Sequence, residues 1–395
     1  MNIFFPKEPD NEPRVALTIE TATKFQKKGI NILIEKNLSN HLGIADEKFE
    51  EHGVKSVSRQ DGFSDADIIC NVRNLSEEEL DLVKPGTLVV SFLDPFNEKS
   101  LVKKINEKEI SAISMELIPR ITRAQKMDAL SSQANLAGYS AVLLASNELE
   151  KALPMMMTAA GTISPSKVFV IGVGVAGLQA IATAKRLGAK VEAFDTRPVV
   201  AEQVKSLGAR FVKIDIGETG ETEQGYAKEL TKEQINKQQE GMKKVCASSD
   251  IVITTAQVFG RPAPTLVTKE MVSVMSPGSV IVDMAVGTGG NVEGSIPDQI
   301  TEVDGVKIVG NTNLPGELPV HSSQVYASNI YNLIEFVSTN KLKSGVYNIS
   351  DTKLTSTYKL VRFMSNKVLF IGLNKFLSKI LVYLLLRLPK INKLT

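Results

Sequence analysis

Six residues, Gly172-Val173-Gly174-Val175-Ala176-Gly177, have the G-x-G-x-x-G spacing of a turn that cradles phosphate. The setting gives the spacing its weight. An apolar strand pattern over residues 168–171 precedes it, and an Ala-rich helix pattern over residues 178–187 follows. There, Gly172 permits a tight turn, Gly174 lets backbone approach a pyrophosphate, and Gly177 lets helix and strand pack closely. The helix N-terminus adds unpaired N–H groups and a partial positive charge. Asp195 ends the next strand pattern, followed by Thr196 and Arg197. A carboxylate in that place accepts both ribose hydroxyls of NAD and repels a 2′-phosphate, whereas a nearby Arg accommodates NADP. The expectation is a dinucleotide site that prefers NAD(H).

A second cluster, residues 119–133, is dense in hydrogen-bonding side chains, among them Arg120, Gln125, Asp128 and Ser131. It lies where a first domain hands over to a second, a common location for ligands. The competing reading is a solvated loop followed by a helix cap. The three histidines, His41, His52 and His321, are scattered, have no evident catalytic neighbour and suggest no metal cluster. Cys70 and Cys246 read as buried thiols in a reducing compartment rather than as a disulfide framework.

These groups need elements to position them. With 395 residues, two domains are expected. Strand patterns at 14–17, 30–34, 67–72 and 87–92 alternate with helix patterns at 21–28, 46–52 and 76–83. A long Ala- and Ser-rich helix is expected over 128–145. Strand patterns at 168–171, 191–194, 211–214, 250–254, 280–283 and 306–309 describe a second parallel sheet. A further long helix is expected over 318–337. The fold class is therefore α/β: two Rossmann-like, doubly wound parallel-sheet domains joined by long helices, the first discontinuous. The expected division is 1–134 with 314–350, then 135–313 for the nucleotide domain, and a basic apolar tail over 351–395.

Charge is unevenly distributed. Residues 353–395 carry nine Lys or Arg and no Asp or Glu, while the first 352 carry 37 basic and 44 acidic residues. An acidic body argues against nucleic acid as a partner. The N-terminus has no basic stretch leading into an apolar run, so no secretory signal is expected. The apolar tail run at 368–386 is interrupted by Asn374, Lys375, Ser378 and Lys379. Two central lysines are costly in a membrane-spanning helix. Three readings stand: a segment lying on anionic lipid, a poorly formed span, or a terminus that does neither.

Residues 120–139, RITRAQKMDALSSQANLAGY, resemble the alpha subunit of proton-translocating NAD(P) transhydrogenase. So do residues 170–198, VIGVGVAGLQAIATAKRLGAKVEAFDTRP, residues 225–230, GYAKEL, and residues 311–329, NTNLPGELPVHSSQVYASN. The resemblance runs to about residue 337 and implies an NAD(H)-binding component with an alanine dehydrogenase-like fold. It further implies that Arg120, Gln125, Asp128 and Ser131 hold the nicotinamide carboxamide and its ribose. The dinucleotide site would be Gly172, Gly174, Val175, Ala176, Gly177, Asp195, Thr196 and Arg197. Tyr226 falls in what resembles a mobile loop, and the polar, Gly-rich residues 217–225 read as a loop independently. NADP(H) would sit on a partner beta subunit, and membrane-spanning subunits would move the protons. The resemblance implies a homodimer. The implied location is peripheral, on the cytoplasmic face of a bacterial inner membrane or on the matrix side in a eukaryote.

The alternative is an alanine dehydrogenase-like amino-acid oxidoreductase, which residues 14–17 also resemble. That chemistry needs a Lys at one strand end and a His at the next. Asn71 and Asp94 stand in those places, and neither is suited to the proton transfer. Direct hydride transfer between two nicotinamides moves no substrate proton, so it requires positioning and no general base. A third class, a redox-sensing module without turnover, is compatible with a Rossmann fold but gives the 120–131 cluster no task.

Overall fold

The computed structural model describes residues 1–217, 230–257 and 260–340. They form two compact units, residues 1–132 with 319 onward, and residues 133–318. The divisions fall inside the helix Ala129–Glu148 and at the start of the helix Pro319–Asn340. The second division comes later than the sequence suggested, because Leu314 is buried in the core of the 133–318 unit.

In the first unit, strands β1 (Asn2–Phe5), β2 (Asn31–Glu35), β3 (Lys55–Val57), β4 (Ile68–Cys70), β5 (Leu88–Ser91) and β6 (Ser111–Ser114) form one sheet. Its order is β3-β2-β1-β4-β5-β6 and every pairing is parallel. That is the doubly wound order, with the reversal between β1 and β4. Helices cover the sheet because their termini are locally specified. Thr18 with Thr21, and Ser76 with Glu79, form reciprocal capping boxes at the starts of Ile19–Gln26 and Glu77–Leu82. Ile3, Phe4 and Phe5 are fully buried, so β1 is the centre of the sheet.

Residues 14–17 are not a strand. Arg14 folds back on Glu12, with Nε to Oε1 at 2.6 Å and Nη2 to Oε2 at 2.6 Å. The Val15 N–H goes to Ser323 Oγ at 2.9 Å rather than to a ladder. The apolar run packs into the core as a loop.

In the second unit, β7 (Met156–Thr158) and β8 (Gly161–Ile163) make a separate antiparallel hairpin, exposed on both faces. Strands β9 (Lys167–Ile171), β10 (Lys190–Phe194), β11 (Arg210–Phe211), β12 (Ile251–Thr254), β13 (Val280–Asp283), β14 (Gln299–Val303) and β15 (Val306–Gly310) form the main sheet. Its order is β11-β10-β9-β12-β13-β15-β14, parallel except for the edge strand β14. Setting β14 aside, this repeats the doubly wound order. Strand β11 is shorter than the sequence suggested; the Val212 N–H still donates to Ala193 O at 2.8 Å, and residues 213–216 run on outside the strand.

Tyr226 and the tail at 351–395 lie outside the described residues. Among those described, no helix is long and apolar enough to cross a membrane.

Candidate functional site

In the second unit, β9 delivers the chain into the glycine turn at its C-terminal end. Gly172 has φ +96°, a conformation side chains rarely adopt, and its N–H is held by Phe194 O at 2.9 Å. A Cβ on Gly177 would stand 2.0 Å from Gly172 O. A Cβ on Gly174 would meet nothing within 4 Å. The three glycines therefore divide their work: Gly172 makes the turn, Gly177 permits the close approach of helix to turn, and Gly174 leaves its backbone face open. Gly174 is the N-cap of the helix Val175–Arg186, so open space meets a helix N-terminus. Val175 and Ala176 form the first turn of that helix. These residues fit a pyrophosphate.

Asp195 follows β10 and faces the same turn. Its Oδ2 accepts from Val173 N–H at 2.7 Å, and its Oδ1 from Arg197 N–H at 2.8 Å. The Arg197 guanidinium adds Nε to Oδ1 at 2.9 Å and Nη2 to Oδ2 at 2.8 Å, and Nη2 also reaches Val173 O at 3.1 Å. The structure thus brings Asp195 and Arg197 together as one nearly buried ion pair rather than as separate determinants. Thr196 lies between them, half-buried.

Further residues support this site with little local signal in the sequence. Thr255 Oγ1 donates to Gly172 O at 2.9 Å, bracing the turn from the end of β12. The Asn291 side chain spans a loop, accepting from Ala256 N–H at 3.1 Å and donating to Ala256 O and Pro264 O at 2.8 Å each. Asp283, fully buried at the end of β13, accepts from the backbone N–H groups of Ala285, Asn291 and Val292. Gly138 lies in the helix Ala129–Glu148, and a Cβ there would stand 2.1 Å from Ala176 O.

In the first unit, Asp128 and Ser131 are joined directly. Asp128 Oδ1 accepts from the Ser131 N–H at 2.9 Å, and its Oδ2 from Ser131 Oγ at 2.5 Å. Asp128 therefore caps the helix Ala129–Glu148, and the Ser131 hydroxyl keeps acceptor capacity for an amide N–H. Asn329 fixes the segment from the helix Pro319–Asn340: its Oδ1 accepts from Ser132 Oγ at 2.6 Å and its Nδ2 donates to Lys126 O at 2.9 Å. Arg120 and Gln125 are exposed, Gln125 within the 3-10 helix Thr122–Met127.

At the end of β4, Asn71 is buried; its Nδ2 donates to Arg73 O and its backbone carbonyl accepts from the Tyr326 hydroxyl at 2.9 Å. Just beyond β5, Asp94 accepts from Asn97 Nδ2 at 2.9 and 3.0 Å. Nearby, Glu8 accepts from the N–H groups of Val72 and Arg73 at 2.6 and 3.0 Å, and burial pushes its carboxyl up to about 8. Burial acts on Glu12 in the same direction, but hydrogen bonding and charge from Arg14, with charge from Arg73, outweigh it and lower its pKa. Burial raises the Glu116 carboxyl as well. Two of the three histidines have local partners: His41 Nε2 meets Pro13 O at 2.8 Å, and His52 Nδ1 meets Thr23 Oγ1 at 3.2 Å.

Comparison with known proteins identifies the family and the fold. The family model "Alanine dehydrogenase/PNT, N-terminal domain" matches residues 4–137, and "Alanine dehydrogenase/PNT, C-terminal domain" matches residues 141–361. The chain is 46% identical over 346 residues to the first part of NAD(P) transhydrogenase subunit alpha of Rickettsia prowazekii, covering 86% of this chain and 89% of that protein. To the protein of the same name from Rhodospirillum rubrum it is 43% identical over 367 residues, covering 90% and 95%. The crystal structure of transhydrogenase from Sinorhizobium meliloti superposes with a TM-score of 0.77 at 43% identity, covering 85% of this chain and 94% of that one. An L-alanine dehydrogenase structure superposes at 0.73 with 25% identity, covering 86% and 90%. The chain belongs to the alanine dehydrogenase/PNT family, on the branch of the NAD(P) transhydrogenase alpha subunits.

Proposed function

We propose that this chain is the NAD(H)-binding subunit of a proton-translocating NAD(P) transhydrogenase. In this reading NADP(H) is held by a partner beta subunit, and membrane subunits couple the reaction to proton movement. The observation that carries it is the state of Asn71 and Asp94. One is a buried amide that does not titrate, and the other is held by the neutral Asn97 side chain. Neither is arranged for the proton transfer that oxidation of an amino acid demands.

The nicotinamide, when bound, supplies the hydride. The chain's own residues have to bind and orient. The open backbone at Gly174 and the helix behind it receive the pyrophosphate, and Asp195 receives the adenosine ribose. Arg120, Gln125, Asp128 and Ser131 hold the carboxamide and its ribose, with Asn329 fixing the segment that carries them. Tyr226 completes the set in this reading. Positioning of this kind accelerates a transfer that needs no acid or base.

The subunit-alpha names of the relatives support a multi-subunit assembly. A homodimer is supported by the β7–β8 hairpin. It exposes Met156, Met157 and Ile163 at 40%, 83% and 41%, and such a hairpin is marginal in water unless something covers it. The basic, apolar composition of the tail supports a peripheral membrane location, on the cytoplasmic face of a bacterial inner membrane or on the matrix side in a eukaryote.

The deciding experiment gives the full chain NADH with two acceptors in parallel. One reaction contains pyruvate and ammonium. The other contains an NADP+ analogue with the NADP(H)-binding domain of a transhydrogenase. Hydride transfer in the second alone is expected. Turnover in the first would establish the amino-acid oxidoreductase reading instead.

A further inference from the structure

An ionised carboxylate offers about four acceptor positions, two on each oxygen. At Asp195 all four are taken. Two belong to backbone N–H groups, those of Val173 and Arg197. The other two belong to a single side chain, the Arg197 guanidinium, through Nε and Nη2. A ribose diol that is to use Asp195 has nowhere to bind while this fork is in place.

We propose that Arg197 is a latch on the ribose site. Its guanidinium fork occupies the pair of Asp195 positions that the adenosine 2′- and 3′-hydroxyls need, so NAD(H) has to displace it. NAD(H) binding then exchanges one side-by-side donor pair on Asp195 for another and also gives up the bond from Arg197 Nη2 to Val173 O at 3.1 Å. The proposal rests on the reading of the 133–318 unit as an NAD(H) site.

The two kinds of donor differ in freedom. Val173 N–H is fixed by the glycine turn. Arg197 has extended backbone, φ −93° and ψ 108°, and precedes Pro198, which disfavours the helical alternative. Its N–H therefore stays on Asp195 while its side chain leaves by rotation about its own bonds. The carboxylate remains oriented by two backbone donors throughout, and only the guanidinium departs.

The same pair sets discrimination. A 2′-phosphate has to take the guanidinium from Asp195 and remain beside the exposed carboxylate, whereas a 2′-hydroxyl simply replaces the fork. Arg197 thus favours NADP(H) only if Asp195 loses its charge.

The test measures NADH and NADPH binding to the full-length chain by calorimetry, with folding of each variant checked by circular dichroism. Arg197→Ala is expected to bind NADH ~5-fold more tightly than the parent, because an ion pair no longer has to be broken. Arg197→Lys keeps the charge without the fork, is expected to shift the same way by less, and serves if the Ala variant does not fold. Asp195→Asn is expected to weaken NADH and strengthen NADPH, and Asp195→Asn combined with Arg197→Ala is expected to lose the gain for NADPH. Unchanged or weakened NADH binding by both Arg197 variants would overturn the latch; Arg197 would then only position Asp195. A folded parent chain that binds neither nucleotide would sink the NAD(H)-site reading itself, and the latch with it.

Discussion

Ser132 Oγ donates a 2.6 Å hydrogen bond to Asn329 Oδ1, joining residues 197 positions apart. Asn329 is nearly buried, and its Nδ2 simultaneously satisfies Lys126 O. One carboxamide therefore ties the 122–132 segment to the helix Pro319–Asn340. Asn329→Ala leaves a carbonyl and a hydroxyl without these bonds, and about 1–3 kcal/mol of stability is expected to go with them. Urea titration measures that loss. The same variant is expected to bind NADH more weakly; unaltered binding would mean that the segment needs no such anchor.

Gly174 and Gly177 separate binding from folding. A methyl on Gly174 meets no protein atom within 4 Å, and its φ of −86° suits alanine, so Gly174→Ala should melt with the parent. It should nevertheless lose at least ~10-fold in NADH affinity, because the added carbon fills the space that a pyrophosphate approaches. Gly177→Ala forces a carbon against Gly172 O and should lose about 1–3 kcal/mol of stability. Melting curves and NADH titrations of both variants check this division. Equal destabilisation by the two changes would contradict it.

Gln125 and Asp128 are predicted to differ in the same manner. Gln125 is exposed, so Gln125→Ala should change stability by no more than about 0.5 kcal/mol. Single-turnover hydride transfer to an NADP+ analogue is expected to slow by ~100-fold, the scale on which misplaced reactants lose rate. Asp128→Ala removes a helix cap as well and should lose about 1 kcal/mol in addition to rate. A Gln125 variant with full transfer rate would remove that residue from the site.

Glu8 gives the first unit a pH dependence. Burial holds its carboxyl at about 8, against 4.5 for the ordinary group. The folded chain therefore binds a proton that the unfolded chain has released between those values. The stability this contributes is complete below pH 4.5, declines as pH rises, and is gone above about pH 8. The loss is on the order of a few kcal/mol. Denaturant midpoints measured from pH 5 to 9 should fall in the parent and fall less in Glu8→Gln. Parallel curves for the two proteins would show that Glu8 is ionised in the fold.

What the sequence carried by itself was local. The strand, glycine turn and helix around Gly172 are contiguous, so spacing alone revealed them. The parallel sheets followed from alternating patterns, and the long helices from composition. Misreadings arose where a distant partner outweighed local preference. Residues 14–17 have strand-like composition, but the Val15 N–H bonds to Ser323, 308 positions away, rather than to a neighbouring strand, so the run is a loop. Strand β1 is short and terminal, and becomes the centre of its sheet only through pairing with β2 and β4. Strand β14 is largely exposed and exists through its antiparallel partner β15.

The site shows the same boundary. Sequence named Asp195 and Arg197 as opposing signals for NAD and NADP. Only the tertiary structure showed them as one ion pair that fills the carboxylate's acceptor positions. Asn329, Thr255, Asn291 and Gly138 do their work through groups far along the chain or on other elements. No local pattern could assign them, because a hydrogen bond or a close backbone approach belongs to two places in the chain at once, and folding alone decides which places meet.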